Sequence, residues 1–147
     1  MAAEIVTVTT EEQLQLALAI RTKVFVEEQN VPEEVEIDLH DRLAGTAHHF
    51  LIQDEGKMVA TGRVTIYDDE TAKMQRIAVL KNYRSKGYGR VLLLAMEERA
   101  RELGLHYSLL DAQCQAEVFY KKLGYETISD EPFDDAGIPH VRMRKKL

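Results

Sequence analysis

The sequence predicts an α/β or α+β fold, one mixed sheet with helices on both faces, on three observations. Segments of alternating polar and apolar residues recur along the chain; three stretches carry the apolar period of a helix, two of them ending at glycine; and no internal repeat, low-complexity tract or Pro/Ser-rich linker breaks the succession. Residues 4–9 alternate as a strand does. Thr10, followed by Glu12 and Gln13, has the pattern of a capped helix start. Leu14, Ala17, Leu18, Ile20, Val24 and Phe25 then carry an apolar stripe toward Glu28, before the Asn30-Val31-Pro32 break. Residues 49–53 and 58–67 read as strands joined by a hairpin turn at Gly56, and residues 72–80 add a third antiparallel strand after the turn at Asp68-Asp69-Glu70. Residues 91–103 form the strongest helical pattern, with Gly104 in the place of a C-terminal cap. A strand at 106–111, a helix at 115–123 capped by Gly124, and strands at 125–128 and 139–144 complete the order β-α-β-β-β-α-β-α-β-β.

The 147 residues suit one domain, and 45% apolar with 30% charged residues is enough for a packed core. Acids outnumber bases 25 to 19, and the formal charge of -6 argues against nucleic acid or anionic lipid as the main partner. No apolar stretch approaches the roughly 20 residues needed to span a bilayer, so no membrane association is expected. The start Met1-Ala2-Ala3-Glu4 lacks a basic, then apolar, secretory pattern, so a cytoplasmic address is expected. Cys114 is the single cysteine, which excludes an internal disulfide and a thiolate-rich zinc site. It has no His or Asp beside it in a nucleophile arrangement. His48 and His49 are adjacent on a strand and point to opposite faces, so no metal site is expected there. Residues 27–41 hold seven acids and no lysine or arginine.

Chemistry concentrates at residues 74–90, a strand that runs through a basic glycine loop into a helix. Gly87 and Gly89 let successive amides face inward at the positive end of the helix dipole, and Lys81, Arg84, Lys86 and Arg90 add cationic side chains with no acid among them. A pyrophosphate suits such a site. Neither GxxxxGK[ST] nor GxGxxG is present, which excludes the simplest kinase and dehydrogenase readings.

Arg84-Ser85-Lys86-Gly87-Tyr88-Gly89 resembles the [QR]xxGx[GA] acyl-CoA pyrophosphate motif of the GCN5-related N-acetyltransferases, the GNAT family. Ile77-Ala78-Val79 resembles the strand before that motif, and AEVFYKKLGY at 116–125 resembles the family's A-x-x-x-Y-x-K-x-G-[FY] segment. Residues 21–41 and Gly137-Ile138-Pro139-His140 resemble a bacterial, ElaA-like subgroup. The resemblance implies a mixed, mostly antiparallel sheet flanked by helices, and acetyl-CoA as co-substrate with no metal. It implies that amides from Arg84 through Ser85, Lys86, Gly87, Tyr88 and Gly89 to Arg90 hold the CoA pyrophosphate. The backbone of Ile77, Ala78 and Val79 would bond the pantetheine arm, and an amide near Val79 would meet the oxyanion. Tyr120 falls on the tyrosine that protonates the departing thiolate. Gln113 stands where many relatives carry asparagine.

No acid occupies the strand position at which many family members carry a basic glutamate; Lys73, Gln75 and Arg76 are there instead. Glu36, Asp38 and His140 are the candidate bases or acceptor-site groups. The acidic segment makes a cationic acceptor electrostatically sensible, whether a small amine or a lysine side chain. The expected activity is N-acetylation of a primary amine by direct attack. The alternatives are a longer acyl donor and a CoA-binding sensor without catalysis, and the sequence leaves a homodimer open.

Overall fold

The computed structural model describes residues 3–147. Strand β1 (Glu4–Thr7) leads into helix α1 (Glu11–Arg21), which continues as a π-helical stretch (Thr22–Glu28) and is followed by a single turn, α2 (Glu33–Glu36). Strands β2 (His48–Asp54), β3 (Lys57–Asp68) and β4 (Thr71–Val79) precede helix α3 (Tyr88–Glu102). Strand β5 (Tyr107–Gln113), helix α4 (Glu117–Lys122), and strands β6 (Glu126–Thr127), β7 (Phe133–Asp135) and β8 (Ile138–Lys146) follow. Among the described residues these strands form one eight-stranded sheet in the order β1-β2-β3-β4-β5-β8-β6, with β7 paired to β8. Every pairing is antiparallel except β4 with β5.

Local chemistry explains the helix boundaries. The Gln13 amide donates to Thr10 Oγ1 at 3.1 Å and the Thr10 amide to Gln13 Oε1 at 3.2 Å, a reciprocal capping box. Helix α3 begins at Tyr88, in the glycine loop as expected, where Gly87 takes the left-handed conformation (φ 82°) ahead of the first turn. It ends in a Schellman motif, in which the Leu105 amide donates to Ala100 O and Gly104 to Arg101 O. Helix α4 ends the same way, through Tyr125 to Tyr120 O and Gly124 to Lys121 O, and this seats Tyr125 in the core.

The two faces of the sheet carry separate cores. Phe50, Ile52, Met74, Leu92, Leu93, Met96 and Leu110 pack under α3; Ala17, Ile20, Val24, Leu51 and Ala78 pack under α1. Gly62 permits the close approach of α3, since a Cβ there would lie 2.7 Å from Met96 Sδ. Strand β7 and the turn α2 are absent from the sequence expectation. No helix among the described residues is long and apolar enough to cross a membrane.

Candidate active site

Strands β4 and β5 pair only from Thr71–Met74 to Tyr107–Leu110 and then separate. Pairs Thr61↔Ala78 and Arg63↔Gln75 leave Gly62 opposite both Arg76 and Ile77, a bulge in which Arg76 has φ 59°. The bend and the separation open a cleft of about 510 Å³. One wall is the exposed edge of β4 with the glycine loop, the other is formed by the π-helical stretch and α2, and β5, α4 and the start of β8 contribute the rest of the lining.

On the first wall the Leu80 amide turns to Val59 O on β3 at 2.9 Å. Strand alternation therefore turns the backbone groups of Ala78 toward β3 and those of Val79 into the cleft. The Val79 carbonyl accepts from Arg84 Nε at 2.9 Å, and the same guanidinium pairs with Glu28 at 3.0 Å. Of the three edge residues expected from the sequence, Ala78 thus faces away; its side chain lies in the α1 core. The loop then winds through Ser85 (φ 68°) and Gly87 (φ 82°). The first helical bond of α3 is Val91 to Gly87 O, so the amides of Tyr88, Gly89 and Arg90 precede it without an intrahelical carbonyl. Tyr88 ties the loop to the β2–β3 hairpin through a 2.5 Å bond to Asp54, which raises its phenol to about 12. Lys86 lies over the Tyr83 ring.

Tyr120, Gln113 and His140 line the same cleft. Burial pushes the Tyr120 phenol up to about 12, so it is protonated throughout the neutral range. Its ring meets Phe119 edge-on at 5.0 Å, and a Cβ placed on Gly89 would meet Phe119 at 3.4 Å. His140 is buried and stacks on Phe133. Its Nδ1 lies 2.7 Å from the Ile138 carbonyl, an acceptor, so Nδ1 carries the proton and Nε2 keeps a lone pair in the neutral ring. Gln113 Nε2 donates to Gln29 Oε1 at 2.9 Å, joining β5 to the π-helical stretch across the cleft.

The second wall rests on a network that the sequence reading missed. Arg21 bonds Glu36 and, at 2.5 Å, Asp41; Arg63 forks onto Asp38 at 2.7 and 2.8 Å and reaches Asp41 at 2.9 Å; Arg76 pairs with Glu36 at 2.9 Å and Asp38 at 3.4 Å. Three guanidinium groups balance three carboxylates, with Arg21, Arg63, Glu36 and the Asp41 side chain almost wholly out of solvent. Burial acts to raise the Asp38 carboxyl, but bonding and charge from Arg63, with help from Arg76, bring it down to about 2. Glu36 and Asp38 are therefore ion-pair partners, and neither presents the free basic oxygen expected at the acceptor site. Two signals pointed to the network. Arg21 interrupts an apolar helical stripe, and Arg63 falls between core positions of a strand.

His48 and His49 engage different partners: His48 Nδ1 faces Arg99 at 3.2 Å, and buried His49 bonds the His40 carbonyl at 2.9 Å. Cys114 is a half-buried free thiol beside the core.

A splayed parallel pair beside a glycine loop at a helix start is the architecture of an acetyltransferase, and the chain belongs to the GNAT family: its acetyltransferase domain model matches residues 5–147. Two Bacillus subtilis proteins are 45% identical to this chain. YjcF, described as an uncharacterised N-acetyltransferase, aligns over 92% of this chain and 94% of its own, and YyaT over 95% and 93%. Escherichia coli ElaA superposes with TM-score 0.86 at 28% identity, covering 98% of this chain and 99% of its own. A Pseudomonas aeruginosa structure described as an acyl-CoA N-acyltransferase gives 0.86 at 26% identity with the same coverage. The protein is an N-acetyltransferase by family.

Proposed function

We propose that residues 1–147 form one domain that moves acetyl from acetyl-CoA to a primary amine by direct attack in a ternary complex. The observation that carries this reading is the convergence on one cleft of the open β4 edge, Arg84 and Gly89 of the glycine loop, Tyr120 and His140. The loop amides from Arg84 to Arg90 bind the pyrophosphate, and Ile77 and Val79 bond the pantetheine as an added strand. The description of the Pseudomonas neighbour supports a CoA thioester as donor.

His140 is the base, because its Nε2 lone pair is free whereas Glu36 and Asp38 are held by arginines. It removes the proton of the attacking amine as nitrogen bonds to the thioester carbon. The oxyanion meets the Val79 amide, the carbon–sulfur bond breaks, and the Tyr120 hydroxyl protonates the leaving thiolate. Gln113, tied to Gln29, steadies the two sides of the cleft. Glu36, Asp38 and Asp41 are neutralised, so the charge that remains to favour a cationic amine at the rim comes from exposed Glu27, Glu33 and Glu34. Both a small amine and a lysine side chain fit this chemistry.

Calorimetric titration with acetyl-CoA, free CoA and longer acyl-CoAs, followed by thiol release with a panel of amines, tests the reading. Saturable micromolar binding and amine-dependent thiol release are expected, and Gly89→Asp weakens binding at least about tenfold by placing a carboxylate beside the pyrophosphate. Absence of binding heat and of thermal stabilisation overturns it; preference for a longer chain reassigns the donor.

A further inference from the structure

Arg76 combines two features that its neighbours on β4 lack: a left-handed backbone and a guanidinium bound to the opposite wall. Its φ of 59° is unfavourable for a side-chain-bearing residue, and it sits at the bulge where β4 turns from pairing with β5 to bordering the cleft. From there its Nε and Nη2 reach the Glu36 carbonyl at 3.3 and 3.2 Å, while the Glu36 and Asp38 carboxylates pair with the same group. Glu36 and Asp38 are fixed in turn by Arg21 and Arg63. The bulge aims the backbone of Ile77 and Val79, and an unclamped arginine has no local reason to keep it.

We propose that Arg76 is a positioning residue for acetyl transfer, whose clamp onto Glu36 and Asp38 holds the β4 bulge and so aims the donor edge. This rests on the acetyl-CoA reading above. It makes the segment at 36–41 a brace for the donor wall, and it separates the function of Arg76 from contact with either reactant.

The test compares substitutions by their backbone preference. Glycine adopts the left-handed region freely and alanine does not, so Arg76→Gly keeps the bulge without the clamp while Arg76→Ala loses both. The expected result is that kcat falls about tenfold in Arg76→Ala and only about threefold in Arg76→Gly, with KM for the amine unchanged in both. Arg76→Gln takes the place of alanine if the latter does not fold. Equal losses in the glycine and alanine variants, a raised amine KM, or no loss in either overturns the proposal. Amide hydrogen exchange at residues 76–79 in the unliganded protein gives a readout independent of turnover. Exchange should be slowest in wild type, faster in Arg76→Gly and fastest in Arg76→Ala; identical exchange in all three overturns the clamp. A wild-type protein that fails to bind acetyl-CoA removes the functional reading, while the exchange comparison still decides whether Arg76 holds the bulge.

Discussion

The two walls of the cleft are made of different materials. The wall proposed for the donor is mostly main chain: the edge of β4, a loop with positive φ at Ser85 and Gly87, and the amides of the first turn of α3 that precede its first helical bond. The wall proposed for the acceptor is backed by side chains, with Arg21, Arg63 and Arg76 drawn onto Glu36, Asp38 and Asp41 from elements up to 40 residues apart. Main-chain sites tolerate changes of side chain but not of backbone freedom or local charge. A buried ionic network is the reverse: each member has taken on a desolvation cost that only its partners offset. The donor wall should thus fail in binding while the fold survives, and the acceptor wall should fail in folding.

The largest expected effect tests that contrast. Arg63→Ala leaves Asp38 and the buried Asp41 short of a cation, and removing one partner from a buried pair costs about 3–5 kcal/mol. Urea denaturation measures it directly, with Gly89→Asp alongside as the counterpart on the other wall, whose stability should stay within about 1 kcal/mol of wild type because an added Cβ there meets only Phe119, at an ordinary 3.4 Å. Comparable losses in the two variants would erase the distinction between the walls.

The same contrast explains what could be read from the sequence. The loop and helix start of the first wall were legible because their requirements are local: glycine at 87 and 89, cations around them, and an apolar helical period immediately after. The capping box at Thr10 and Gln13 and the glycine stops at 104 and 124 were legible for the same reason. The acceptor wall depends on contacts across the sheet, and in sequence Arg63 is one charge in a β strand while the acids at 36, 38 and 41 look like a solvated run. Within the acidic run at 27–41, the ion pairs of Glu36, Asp38 and Asp41 with three arginines distant in sequence were invisible to a local reading. The bulge at Arg76 left no local mark, since nothing in Gln75-Arg76-Ile77 announces a left-handed residue. The same folding that consumed Glu36 and Asp38 left His140 Nε2 available.

Tyr120 lines the cleft and sharpens the comparison from the chemical side. Its phenol, held protonated by burial, is the side-chain group that the proposed mechanism adds to a donor site otherwise of main chain. Tyr120→Phe preserves the edge contact with Phe119 and removes only the hydroxyl. Loss of a general acid lowers kcat by about a hundredfold, and acetyl-CoA affinity should change less than about threefold. Steady-state thiol release paired with calorimetry separates the two quantities. An unaltered kcat would remove Tyr120 as the proton donor and leave the thiolate to depart unassisted.

The smallest effect concerns the half-exposed corner of the ionic network. In the folded protein the Asp38 carboxyl is held at about 2, below its ordinary 3.8, because Arg63 and Arg76 outweigh burial. As pH falls, the unfolded chain takes up that proton first. The stabilisation is complete above about pH 5, roughly halved near pH 3 and gone below both values. The Asp38 side chain is 31% exposed, and solvent screening holds its contribution to about 1 kcal/mol. Asp38→Asn should therefore lie about 1 kcal/mol below wild type in urea denaturation at pH 6, with the gap closing by about half at pH 3. Asp41 is also held low, with burial again opposed by Arg21, so acid sensitivity remains in the variant and only its Asp38 share is lost. A gap that does not change with pH would assign the effect of the substitution to packing and detach Asp38 from the arginine network.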